Sequence, residues 1–127
     1  MKIYNYTPHN INIITDASFN ASIRKYTASD DVAIVATIPS NGMLSAKITT
    51  VDGDTIAGIP TFVKKVTGCD PLPDTVGDDD IIVVSALYVS AYRMTFGDDK
   101  RLYTVADPVY TADGTKILGS RGICPAF

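Results

Sequence analysis

The chain is 127 residues long, 46% hydrophobic and 20% charged, with a formal net charge of −3 at pH 7. That length supports one domain, 1–127, with a modest single core, and the balance of residue types excludes a disordered chain. The acidic total excludes duplex nucleic acid as a partner, because phosphate binding rests on a basic surface. A small anionic ligand, which needs only a few well-placed cations, is still allowed.

No run approaches the roughly 20 apolar residues of a membrane span. The longest, IIVVSALYVSAY from Ile81, is broken by two serines and two tyrosines. The start, MKIYNYTPHN, lacks the apolar stretch of a secretory signal, so a cytosolic location is expected. There Cys69 and Cys124 are expected to be reduced and at least half-buried. With a single histidine they fall short of the four ligands of a zinc site, so neither metal nor cofactor is expected.

The elements follow in chain order. KIYNYT (2–7) alternates, with Ile3, Asn5 and Thr7 on one side and Tyr4 and Tyr6 on the other. NINIIT (10–15) continues as a strand beyond Pro8, which marks a kink or an edge. Residues 16–31 are polar and irregular and read as a long loop with at most one helical turn. VAIVATI (32–38) is a near-continuous apolar run and reads as a buried strand. PSNG (39–42) then predicts a hairpin turn, with MLSAKITTV (43–51) as the returning strand. After a turn at Asp52–Asp54, 56–66 reads as a strand whose Pro60 marks an edge or bulge.

The Pro-, Gly- and Asp-rich stretch 67–80 reads as a loop, and IIVV (81–84) as a buried strand. Ser85 is placed to cap a short helix near 86–96, with Leu87, Ala91 and Met94 on one face, Tyr88, Tyr92 and Thr95 beside them, and Gly97 ending it. KRLYTVAD (100–107) is a strand, and 108–119 a hairpin about Asp113-Gly114. The tail 120–127 ends in apolar residues. The expected fold is mainly β: one compact domain of antiparallel strands, a small barrel or sandwich, with one short helix.

Few residues suggest chemistry. His9 is the sole imidazole, but no nucleophile elbow accompanies it. Its bland role is to cap the kink after Pro8. Asp78, Asp79 and Asp80 lack the spacing of a calcium loop and read as a solvated turn guarding the next strand. No glycine-rich nucleotide loop is present, and all 14 acidic residues are aspartate. The arginines say more. Arg24 and Lys25 neighbour Phe19 and Tyr26; Arg93 lies near Tyr88 and Tyr92; Arg101 shares a strand face with Tyr103; Arg121 sits in GSRG. An arginine fork for phosphate beside a ring for stacking is what a nucleotide-like anion requires.

Five blocks in order carry a resemblance: YTPHNINI, ATIPSNGMLSAKI, GIPTF, IIVVSALYVSAY and DPVYTADGTKILGSRGI. Together they resemble a family of short phage and prophage proteins that open on N-L-T-P-H-x-I, carry I-P-P-S-G, G-I-P and I-V-S-A-L, and close on D-P-V-R-D-x-x-G-x-I-x-G-C-R-G. The chain departs from that pattern at Tyr6, at Tyr110 and Thr111 in place of Arg-Asp, and at Ser120 in place of Cys. The change at Tyr110 removes a cation that Arg24, in the long 16–31 segment, is placed to replace.

The resemblance implies an anti-defence protein of the host cytosol that binds a cyclic-nucleotide-type immune signal and holds it without cleaving it. On that reading the ligand-binding residues are Arg93, Arg101 and Arg121, then Tyr88, Tyr92 and Tyr103, then His9 and Arg24. A homo-oligomer is expected, with the tail Ile123–Phe127 at the contact. Two alternatives stay open. One is a phage accessory protein or inhibitor acting by protein contact. The other is a nucleotide-cleaving enzyme using His9 and an aspartate.

Overall fold

The computed structural model describes residues 1–127 and has twelve strands and one helix in three sheets. The first sheet orders β1 (Ile3–Asn5), β8 (Ile81–Val83), β9 (Leu102–Val105) and β12 (Ile123–Pro125). The second orders β3 (Ser18–Asn20), β4 (Lys25–Ala28), β10 (Pro108–Thr111), β11 (Ile117–Ser120), β2 (Ile11–Ile13) and β5 (Ala36–Ile38). The third is a lone ribbon of β6 (Ala46–Asp52) and β7 (Phe62–Cys69). The helix α1 (Ala86–Phe96) packs on that ribbon's base. The protein is therefore mainly β with one short helix, as expected. The sheets do not close into a barrel, and they are mixed: β1–β8, β8–β9, β4–β10 and β2–β11 pair in parallel. Parallel pairs join strands far apart in the chain, so no local turn signal announces them.

The helix forms for local reasons. The Ser85 hydroxyl accepts from the Tyr88 amide at 3.2 Å, and Gly97, at φ 89°, donates its amide to the Arg93 carbonyl. Its buried side is the one that carries the tyrosines. Tyr88, Ala91 and Tyr92 face inward, while Leu87 and Met94 are 49% and 71% exposed. The tyrosines bury more apolar area, and both find acceptors for their hydroxyls: Tyr88 donates to the Asp70 carbonyl at 2.6 Å, Tyr92 to Asp99 Oδ2 at 3.2 Å. Around them pack Cys69, Val76, Ile82, Val84 and Leu102. Val83 points to the opposite face of β8 and, with Ile11, Ile14 and Val109, is buried outside that cluster.

Several expected elements are redrawn. Within 16–31 lies a hairpin of β3 and β4. Only the end of 32–38 is strand, and Ile34 and Val35 are exposed. PSNG does not turn β5 back on β6: β5 pairs with β2 and β6 with β7. The 56–66 segment divides into the tip of the ribbon and the start of β7. The tail is not a loose apolar end. It forms β12 against β9, Ala126 donates its amide to the Leu102 carbonyl, and the Arg93 guanidinium sits 4.5 Å above the Phe127 ring. Both cysteines are free, with Cys69 buried and Cys124 exposed. No helix is long and apolar enough to cross a membrane.

The NYTPHN stretch and the Asn-Gly turn find their explanation in each other. Asn5 is fully buried. Its Nδ2 donates to the carbonyls of His9 (2.8 Å) and Ile38 (3.0 Å), and its Oδ1 accepts from the amide and hydroxyl of Thr7. Its backbone amide donates to Asn41 Oδ1, and its carbonyl accepts from the Asn41 amide. Ser40 completes the knot, donating its hydroxyl to the Thr7 carbonyl and its amide to Asn10 Oδ1. His9 thus does its structural work through its carbonyl, while its ring stays exposed. Replacing Asn5 with Ala deletes the side-chain hydrogen bonds to the Thr7 amide and hydroxyl and to the His9 and Ile38 carbonyls, so Asn5→Ala should lower stability by about 3 kcal/mol. Chemical denaturation measures this, and a loss under about 1 kcal/mol would show that water or relaxation satisfies the knot without the carboxamide.

Candidate functional site

The β3–β4 hairpin lies beside the start of β10, and the turn after β11 reaches back over both. Between them opens a cleft of about 280 Å³ lined by Phe19, Arg24, Lys25, Tyr26, Asp107, Pro108 and Tyr110. Phe19 meets Tyr26 edge-on at 5.2 Å between ring centroids. The Arg121 guanidinium stands 4.1 Å above the Tyr26 ring and pairs with Asp107 through Nη1–Oδ2 at 3.0 Å. The Lys25 ammonium stands 4.3 Å above the Tyr110 ring and donates to the Gly114 carbonyl at 3.0 Å. Cation–ring contacts of this kind hold a charge in place without neutralising it. Arg24 makes no ion pair and is exposed. Arg24 and Lys25 thus line the cleft and Arg121 stands at its edge over Tyr26, with Asp107 the one carboxylate in the lining, in a chain whose total charge is −3.

Arg24 is also held at φ 55°, a left-handed conformation in which a side chain is costly and glycine is not. A tight hairpin turn supplies the geometry, but nothing in the turn requires arginine. Arg24 is thus a strained, exposed cation in the lining of the cleft.

A second cleft, of about 300 Å³, adjoins this one, with Pro108 lining both. It is lined by Ile11, Val105, Pro108, Ile117 and Gly119 together with the polar residues Thr7, His9, Asn10 and Asn12. Gly119 is required there. A Cβ at this position would lie 2.5 Å from the Asn12 carbonyl, so only glycine lets β11 approach β2 so closely.

Of the residues expected to bind a ligand, the structure brings Arg24 and Arg121 to one cleft and His9 to the adjoining one. The rest are elsewhere. Tyr88 is fully buried in the core, where burial pushes its phenol well above the usual range, so it is corrected from ligand contact to core residue. Tyr92 is buried beside it, and burial raises its phenol too. Arg101 forks onto Asp99, Nε to Oδ1 at 3.0 Å and Nη2 to Oδ2 at 2.8 Å, with both side chains largely shielded. Arg93 pairs in the open with Asp98. Tyr103 is half-buried in a shallow depression with Asp78 and Arg101. The stretch GDDKR held the signal: carboxylates two residues before Arg101 and five after Arg93 are placed to occupy both forks. Tyr110 was missed as a contributor because its partner, Lys25, lies on a strand 85 positions earlier, brought near only by the parallel β4–β10 pairing.

Comparison with protein-family models, curated proteins and solved structures finds no match for this chain.

Two measurements follow from this geometry. Relief of the left-handed turn should make Arg24→Gly more stable by about 0.5–1 kcal/mol in denaturant titration; a destabilised variant would mean that the side chain holds the hairpin. Asp99 supplies the second. The Arg101 hydrogen bonds hold its carboxyl down at about 2 against the desolvation that raises it, below the ~3.9 of an unfolded chain. A depressed carboxylate stabilises the fold above the unfolded value, and that stability is lost as pH falls through the folded one. The Tm gap between wild type and Asp99→Asn should therefore be widest above pH ~4 and close towards pH ~2, whereas a pH-independent gap would assign the effect to packing.

Proposed function

We propose that the protein binds a small anionic, ring-bearing ligand of the nucleotide class in the Arg24–Lys25–Arg121 cleft and sequesters it without cleavage. The observation that carries the reading is the meeting of cations and ring faces at one cleft: the Lys25 ammonium stands over Tyr110, Arg121 over Tyr26, and Arg24, in no ion pair, lines the same cleft; guanidinium groups suit phosphate, and aromatic faces suit a base. Holding rather than cleaving is favoured by the lining, whose one carboxylate, Asp107, is occupied by Arg121. The resemblance to short phage proteins supports a biological setting, the capture of a cyclic-nucleotide-type immune signal in the host cytosol. It also accounts for the departure at Tyr110: where the resembled pattern carries arginine, this chain has a ring with the Lys25 ammonium above it.

The ribbon favours a second reading, contact with a protein partner, a second copy of this chain first. The outer part of β6–β7 is exposed on both faces, and Ile56, Ile59 and Phe62 at its tip are 63–65% exposed. Apolar residues clustered in solvent mark contact surfaces. For this reading, light scattering after size exclusion should find a dimer or larger that becomes monomeric in Ile59→Asp/Phe62→Asp. A monomeric wild type would remove the second copy as the partner.

For the first reading, purified protein is mixed with cyclic dinucleotides, cyclic trinucleotides and cyclic ADP-ribose isomers, freed of unbound compound and heated. Mass spectrometry should then find an intact ligand. Arg24→Ala and Arg121→Ala should each weaken its binding about tenfold or more. A cleaved product would make the protein an enzyme, and retention of none of these compounds would leave protein contact as the function.

A further inference from the structure

The two clefts that share Pro108 differ in chemistry in a complementary way. The first is cationic. The second contains no Asp, Lys or Arg and offers apolar walls, including Ile117, which is 64% exposed. Its polar side is set up to donate. Asn10 Oδ1 already accepts from the Ser40 amide and Asn12 Oδ1 from the Thr37 hydroxyl, which leaves their Nδ2 groups as the free hydrogen-bonding atoms. The exposed ring of His9 stands beside them. Apolar faces with an edge that accepts hydrogen bonds describe a neutral heterocycle, not a second phosphate.

The geometry points to a ligand in two parts: a phosphate-bearing nucleotide unit in the cationic cleft and a second base across Pro108, against Ile11, Val105 and Ile117. The class is then a dinucleotide, two bases joined through phosphate, rather than a single nucleotide. This inference rests on the cationic cleft being a nucleotide site, and it assigns the His9 side chain a contact with the second base. Linking the two parts makes binding in the second cleft intramolecular once the first is filled, so affinity rises without new contacts in the first.

Isothermal titration with adenosine and guanosine monophosphates, and with the linear and cyclic dinucleotides of the same bases, tests this. A dinucleotide should bind at least about tenfold more tightly than either monophosphate. Ile117→Asp should abolish that advantage and leave monophosphate binding unchanged, while Arg121→Ala should weaken both. Because Ile117 lies opposite Tyr110 of the first cleft in the β10–β11 register, His9→Ala serves as a second variant: its ring has no partner in the fold, and its loss should lower dinucleotide affinity alone. Equal affinities for one and two bases would overturn the two-part ligand and leave the cationic site standing, as would a dinucleotide preference that neither variant disturbs. Binding of no mononucleotide and no dinucleotide would overturn the nucleotide site itself.

Discussion

The carboxamide of Asn5 is the group on which the arrangement of the sheets depends. It is buried without charge and satisfied on both its nitrogen and its oxygen. Through it, β1 of the first sheet is tied to the Ile38 carbonyl at the end of β5 in the second. That tie works alongside the antiparallel register Ile11↔Ile38, which places β2. From β2 the order runs outward through β11 and β10 to β4, each strand positioned by the one before. A buried polar group of this kind adds little net energy when satisfied and costs much when it is not, so it selects one arrangement over its competitors.

The cationic cleft is the far end of that series. Lys25 and Tyr110 come together because β4 and β10 run in parallel, and Arg121 reaches Tyr26 because the turn after β11 folds back onto Asp107. The clustering is electrostatically uphill in isolation. Stacking on Tyr110 and Tyr26 and pairing with Asp107 offset part of the repulsion, and the exposed position of Arg24 leaves its charge to solvent. What remains is a locally cationic surface on an acidic molecule. The strained turn at Arg24 and the uncovered Ile117 are local costs that a bound ligand would repay.

Elsewhere the charges are spent on the fold. Arg101, Asp99 and the Tyr92 hydroxyl form a partly buried group linking the end of α1 to the start of β9. Asp113 closes the β10–β11 turn by accepting from the Thr111 and Thr115 hydroxyls, which hold its carboxyl at about 2. The arginines beside aspartates in sequence, Arg93 and Arg101, are thus ion-paired to those aspartates. Of the two arginines at the cationic cleft, Arg24 makes no ion pair and Arg121 pairs with Asp107, fourteen positions earlier.

What was legible in the chain was local. The helix from Ser85 to Gly97 follows from its caps, the Asp113-Gly114 hairpin from its turn residues, and the buried IIVV strand from an unbroken apolar run, because each depends on neighbours within a few residues. The mainly β class follows from the sum of such signals. The hairpin inside 16–31 was hidden by its polar residues, and its outer strand, β3, sits at a sheet edge and needs little apolar patterning. Asn-Gly at 41–42 suggested a hairpin but serves Asn5, thirty-six positions away. Parallel pairing, the inward turn of the tyrosines on α1 and the meeting of Arg24, Lys25 and Arg121 were decided only by tertiary structure. Those outcomes depend on contacts between segments distant in the chain, and their energies come from burial and hydrogen bonds that exist only once the sheets have assembled.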